Sequence, residues 1–212
     1  MTIIAHRGLW GGGVKKNSLT ALTKAFEFGF GIETDLRDFD SKIVISHDMA
    51  SKKCESIETL FAYYKEHQLN LNLALNIKSD GLQDELLKLL QKYEIVNYFV
   101  FDMSIPDALS YLNKGFNTFT RLSEYEKQPC FYEKACGLWL DEFQEHWIDE
   151  KTILTHLKAN KKICIVCPCL HKRPYLKEWN TYKTLINKHN LKNKIMLCTD
   201  EVLKAKEFFN GN

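Results

Sequence analysis

No run of roughly 18 or more consecutive apolar residues occurs in the sequence, so no segment reads as an integral membrane span. The N-terminus also lacks the basic-then-apolar pattern of a secretory signal, and the expected location is cytoplasmic. Charge of one sign is not in excess. The 29 Lys and Arg against 27 Asp and Glu leave a formal net charge of +2, which gives no polyanion footprint and sets nucleic acid aside as the default partner. Cysteine is present without a pairing pattern: the seven residues are odd in number and scattered, which favours reduced thiols over a disulfide framework. Nucleotide-binding loops are missing. Gly8 and Gly13 have the P-loop separation, but Val14-Lys15 follows where Lys-Ser/Thr is required, and no Gly-x-Gly-x-x-Gly occurs. With no linker or low-complexity segment, residues 1–212 read as one domain long enough to bury a core.

What is there is a repeating unit. Apolar runs over Thr2–Ala5, Ile32–Asp35, Leu71–Ile77, Tyr98–Phe101, Asn117–Arg121, Leu138–Leu140, Lys162–Cys167 and Lys194–Cys198 predict eight strands. Helical spacing follows from Leu19 to Gly29, Ser56 to His67, Leu82 to Tyr93, Pro106 to Asn113, Asp149 to Asn160, Tyr175 to His189 and Glu201 to Phe209. Only the return over Glu124–Lys134 is weak and reads as irregular. Strand-then-helix repetition, broken only by a short strand at Lys42–Ser46, predicts a compact α/β chain of the (β/α)8 TIM-barrel type, with a doubly wound open sheet as the alternative. Such barrels carry their catalytic groups after the strands. Here those positions are His6-Arg7, Glu33-Asp35, Asn76-Lys78, Asp102, Arg121, Asp141-Glu142, His171 and Thr199-Asp200.

The stretch from Ile32 to Asp48 is the most informative. Glu33 and Asp35 stand two residues apart on a strand and so share a face, a spacing that suits Mg²⁺ or Ca²⁺. A turn at Asp40-Ser41-Lys42 and the short strand after it return His47-Asp48 toward those carboxylates, adding an imidazole that titrates near neutral pH. The competing reading makes the two acids solvated edge charges and His47 a surface residue. Cys167, Cys169 and His171 are a second group able to share a face. Buried cysteine acting as a small hydrophobe is the favoured reading there, with a soft-metal or redox role as the alternative.

His6-Arg7-Gly8, Glu33-Thr34-Asp35 and His47-Asp48, in that order, resemble the motifs of the glycerophosphodiester phosphodiesterase family of phospholipase-C-like barrels. Asn76-Ile77-Lys78 and Thr199-Asp200 extend the resemblance along the chain. It favours the barrel, and it implies a phosphoric diester hydrolase that splits a small glycerol- or polyol-type diester into an alcohol and a phosphomonoester. The divalent cation, Mg²⁺ or Ca²⁺, would sit on Glu33, Asp35 and Asn76. Proton transfer would fall to His6 and His47, and Arg7 and Lys78 would bind the substrate phosphate. Three departures stand out. Asn76 occupies a position where the family usually has glutamate, and Lys16-Asn17 replaces its Glu-Asn. Only Met49 to Asn70 separates His47-Asp48 from the next strand, so the family's inserted subdomain is nearly absent and a more open site follows. A binder of phosphorylated ligands without turnover, and a lyase that forms a cyclic phosphate, are the alternatives.

Overall fold

Serine side chains start several of the helices. In the computed structural model, which describes residues 1–211, Ser18, Ser56 and Ser104 each accept a backbone N–H from the first helical turn that follows. The described residues fall into two compact units, one spanning Ala5–Thr118 and the other Met1–Ile4 with residues 119–211.

The Ala5–Thr118 unit takes in the end of β1 (Thr2–His6), then α1 (Leu19–Glu27), β2 (Gly31–Phe39), β3 (Lys42–Ile45), β4 (Glu55–Ser56), α2 (Ile57–Glu66), β5 (Leu73–Ile77), α3 (Gln83–Lys92), β6 (Tyr98–Phe101) and α4 (Ile105–Asn113). β2 does double duty. Ile32 to Leu36 pair in parallel with Leu73 to Ile77 of β5, and Leu36 to Phe39 turn antiparallel against β3. β5 in turn pairs with β6, and Val100 bridges to Thr118. Every residue of β5 is buried, so Leu-Ala-Leu-Asn-Ile is shielded on both faces and brings Asn76 into the interior. Ala21, Leu22, Ala25 and Phe26 of α1 and Ile57, Leu60, Phe61 and Tyr64 of α2 bury the stripes that helical spacing predicts.

The second unit holds β7 (Phe119–Leu122), β8 (Gly137–Leu140), α5 (Glu150–Lys158), β9 (Lys162–Val166), a 3₁₀ turn (Pro168–His171), α6 (Leu176–His189), β10 (Ile195–Thr199) and α7 (Val202–Asn210). Its strands β7 to β10 pair in parallel, each with the next. No α helix follows β7 among the described residues, as the weak periodicity over Glu124–Lys134 predicts. Setting aside β3 and β4 as an excursion, the strands and helices follow the (β/α)8 order, with that one helix missing. Two details escaped the periodicity: the two-residue β4, and the 3₁₀ turn at Pro168. No described helix is long and apolar enough to cross a membrane.

Candidate active site

Within the Ala5–Thr118 unit the chain turns sharply after β1. Arg7 has φ 58° and Gly8 φ 84°, and Gly8 packs so closely under α1 that a Cβ there would lie 2.5 Å from the Ala21 carbonyl carbon. Only glycine satisfies both conditions. The turn is pinned by Arg7 N–H donating to the Glu33 carbonyl at 3.0 Å and Asn17 N–H donating to the Arg7 carbonyl at 2.8 Å. His6 and Arg7 are thereby fixed beside the middle of β2.

The carboxylates on β2 are not solvated edge charges. Glu33 is 1% exposed and Asp35 0%. Burying two acids on one strand face is unfavourable unless cations or donors answer them. Arg7 Nε lies 3.0 Å from Asp35 Oδ2, Lys78 Nζ 3.6 Å from Asp35 Oδ1, and His6 Nε2 3.8 Å from Glu33 Oε2. Asn17 Nδ2 donates to Asp35 Oδ2 at 3.1 Å while its Oδ1 accepts from Thr34 Oγ1 at 2.7 Å. Asn76 stands opposite Asp35 in the β2–β5 register and donates from Nδ2 to Glu33 Oε1 at 3.2 Å. Even so, burial, and then the Asp35 charge, push the Glu33 carboxyl up to about 7.

One oxygen on each of the three predicted ligands remains buried without a hydrogen bond: Glu33 Oε2, Asp35 Oδ1 and Asn76 Oδ1. Buried oxygens left this way cost free energy unless a cation or donor answers them, and two of the three already lie near one, Glu33 Oε2 by His6 and Asp35 Oδ1 by Lys78. No group of three or more His, Cys, Asp and Glu side chains among the described residues is arranged to hold a metal ion. Glu33, Asp35 and Asn76 together offer two carboxylates and one amide. Lys78 also donates to Asp102 Oδ2 at 3.2 Å, which brings the residue after β6 into the cluster.

His47 is tied in through backbone. Ser46 N–H donates to the Asp35 carbonyl at 2.9 Å, and Arg37 Nε donates to the His47 carbonyl at 3.1 Å. Its imidazole is half-exposed and engages Asp48, Nδ1 to Oδ1 at 2.8 Å, rather than Glu33 or Asp35. The histidine–aspartate pair orients one ring nitrogen and leaves the other for solvent or a ligand. Asn17 was the residue that sequence reasoning missed. Ser18 caps α1, and Asn17 before it clamps Asp35 and Thr34 from a left-handed conformation at φ 58°. The one signal in the sequence was the asparagine of Lys16-Asn17, shared with the family's Glu-Asn.

The strand-end residues of the other unit form pairs of their own. His171 Nε2 meets Asp141 Oδ1 at 2.6 Å, and Arg121 Nε lies 3.3 Å from Glu126 Oε2. Glu142 is fully buried and acts as a structural acceptor, taking His146 Nδ1 at 2.7 Å, the Trp147 and Ile148 N–H groups at 2.9 Å, and the Tyr182 hydroxyl at 3.1 Å. His146, itself exposed, thus braces a buried acid. Cys169 Sγ lies 3.3 Å from Thr199 Oγ1, and its pKa falls to about 7, chiefly through a hydrogen bond from Cys167. His171 is committed to Asp141, so the Cys167–Cys169–His171 group does not converge on a metal.

No protein-family model matches the chain, and no curated protein does. Solved structures do. A Galdieria sulphuraria structure provisionally described as a glycerophosphodiester phosphodiesterase matches with a TM-score of 0.75 and 20% identity, covering 99% of this chain and 97% of that one. The glycerophosphodiester phosphodiesterase of Agrobacterium tumefaciens strain C58 matches at 0.65 and 14% identity, over 100% and 99% of the two chains. A glycerophosphoryl diester phosphodiesterase from Parabacteroides distasonis matches at 0.69 and 14% identity, over 99% and 86%. The chain has the fold of these proteins from end to end.

Proposed function

We propose that this chain is a metal-dependent phosphodiesterase that hydrolyses a small glycerol- or polyol-type phosphodiester to an alcohol and a phosphomonoester. The observation that carries the reading is the trio of buried, hydrogen-bond-free oxygens on Glu33, Asp35 and Asn76. Two hard anionic donors and one neutral one fit Mg²⁺ or Ca²⁺ and do not fit a soft metal. When bound, such a cation supplies Lewis-acid stabilisation of the negative charge that gathers on the non-bridging phosphate oxygens.

The remaining work falls to the chain itself. Arg7 spends its Nε on Asp35, and the other N–H groups of its planar fork are suited to a phosphate oxygen. Lys78, held between Asp102 and Asp35, adds a second positive charge at the same place. His6 and His47 are the proton carriers. One takes a proton from the attacking water as the new phosphorus–oxygen bond forms. The other gives a proton to the departing alkoxide as the old bond breaks, so each imidazole ends in the state from which its partner began. The family likeness of the fold supports the reaction class, and the motifs around His6, Glu33 and His47 support these roles.

A second reading, a binder of phosphorylated ligands without turnover, draws support from Asn76, which brings no charge where two acids alone must hold the cation. The deciding experiment assays purified protein against a panel of phosphodiesters with Mg²⁺, Ca²⁺ and chelator, with phosphorus NMR of the products. Metal-dependent release of a phosphomonoester supports hydrolysis, and a persisting cyclic phosphate would select a lyase. Tight diester binding without turnover would select the binder, and inertness toward every diester together with no metal binding would sink the proposal.

A further inference from the structure

Two loops of the Ala5–Thr118 unit leave the strands that carry the candidate site, and both are apolar at the tip and basic beside it. The first follows β1. It presents Trp10, 40% exposed, on a small hairpin closed by Gly11 and Val14, and continues into exposed Lys15 and Lys16. The second follows β3, with Met49 90% exposed and then exposed Lys52 and Lys53. These loops are neighbours, since the Lys15 charge acts on Cys54 and Glu55 accepts the Leu19 N–H at 2.7 Å. Residues 9–16 contain no acid. The two acids of the second loop are both engaged, Asp48 with the His47 ring and Glu55 with Leu19. Trp10 is held out at the rim by its indole N–H, which donates to the His6 carbonyl at 3.1 Å.

Single exposed apolar side chains are ordinary. An exposed tryptophan and methionine set among four lysines on adjoining loops match something more specific, the two signals of reversible attachment to a lipid interface. We propose that this face docks on an anionic membrane surface, with Lys15, Lys16, Lys52 and Lys53 drawn to headgroup phosphates and Trp10 and Met49 entering the boundary between headgroups and acyl chains. Tryptophan favours that boundary because its ring is apolar and its N–H polar. A nucleic acid or acidic protein would answer the lysines but offer no apolar layer for Met49. The phosphodiesterase reading enters only in explaining why the site would face lipid, where it would meet diesters at the headgroup level; docking itself does not depend on it.

The test uses the whole chain and vesicles of phosphatidylcholine with or without phosphatidylglycerol, read by co-sedimentation. Intrinsic fluorescence gives a second readout, because Trp139 and Trp179 are buried and Trp147 is half-buried, leaving Trp10 as the tryptophan that brominated lipid can reach. Binding is expected only to vesicles containing phosphatidylglycerol, with quenching by brominated lipid. At about five-fold per lysine lost, the combined variant Lys15→Glu, Lys16→Glu, Lys52→Glu, Lys53→Glu is expected to bind at least about 10²-fold more weakly. Met49→Ser should weaken binding several-fold. Both variants should turn over a water-soluble diester at the parent rate, which also shows that they are folded. No sedimentation of the parent chain, equal binding by the lysine variant, or sedimentation without quenching would each overturn the proposal. Docking without diester turnover would support it while refuting the phosphodiesterase reading, and turnover without docking would do the reverse.

Discussion

Replacing Asn17 with alanine tests how far one half-buried amide holds the site together. Asn17 Nδ2 gives Asp35 a hydrogen bond at 3.1 Å, and its Oδ1 takes the Thr34 hydroxyl at 2.7 Å. Losing a hydrogen bond to a charged group costs about 1.5 to 3 kcal/mol and losing the neutral one about 0.5 to 1.5 kcal/mol. The backbone adds to this, because φ is 58° at position 17 and alanine resists that conformation by about 1 kcal/mol. A total loss of about 3 kcal/mol or more is expected. Asn17→Gly removes both hydrogen bonds but relieves the backbone, so it should be about 1 kcal/mol more stable than Asn17→Ala. Urea unfolding of both variants in chelator, followed by circular dichroism, measures this as a shift in midpoint at unchanged slope. An alanine variant within about 0.5 kcal/mol of the parent, or glycine and alanine variants of equal stability, would refute the reasoning.

His6→Ala and His47→Ala are each expected to lower turnover by about 10²-fold or more with the fold intact, and a diester with a very good leaving group should rescue the variant that lost the acid. Gly8→Ala puts a Cβ 2.5 Å from the Ala21 carbonyl carbon at φ 84°, so a markedly lowered melting temperature is expected, and an unchanged one would contradict the packing described. For the metal-free protein, Glu33 titrates near 4.5 unfolded and at about 7 folded, so the folded state holds its proton more tightly. Stability from this group is full below pH 4.5 and falls as pH rises through about 7. The loss is about 3 kcal/mol, and Glu33→Gln should flatten that slope in a pH series of urea melts. Asn76→Glu should tighten divalent-cation binding in calorimetric titration while diester turnover falls, and unchanged affinity would remove Asn76 from the ligand set.

Strand and helix order could be read from the sequence because each repeat obeys its own period. Leu71–Ile77 alternates into a fully buried β5, and Leu60, Phe61 and Tyr64 return at helical spacing on α2. The proposed ligand trio could be picked out too, since a period of two puts Glu33 and Asp35 on one face and Asn76 lies one residue before the end of β5. How deeply the pair is buried was not, because burial of an acid depends on what lies over it. Here Arg7 and Asn17 close on Asp35 from the loop after β1, and Asn76 and Lys78 reach Glu33 and Asp35 from the end of β5. Asn17 stayed hidden for a related reason. A loop residue eighteen positions before Asp35 gives no periodic sign of its target, and its role exists only once Arg7 and Gly8 have turned the chain back over β2. His146 bracing Glu142 is the same kind of long-range satisfaction, which local pattern does not encode.

If Glu33, Asp35 and Asn76 hold a divalent cation as proposed, charge accounting in the Ala5–Thr118 unit gives a reason for an amide at the third position. Glu33, Asp35 and Asp102 bring three negative charges, and Arg7 and Lys78, which contact Asp35 and Asp102, bring two positive ones. Left alone, this cluster would carry one net negative charge if Glu33 were ionised, and would repel a phosphodiester monoanion. The Glu33 carboxyl is pushed up to about 7, chiefly by its burial and then by the Asp35 charge. A bound divalent ion turns the balance to one net positive charge, which a phosphodiester monoanion neutralises. A glutamate at position 76 would cancel that surplus. The cation would be held more firmly, the substrate would meet a neutral site, and the metal would be a weaker Lewis acid, so affinity for one ligand would be gained at the expense of the other. On the proposed ligand set, a neutral Asn76 leaves room for the charge of a phosphodiester substrate.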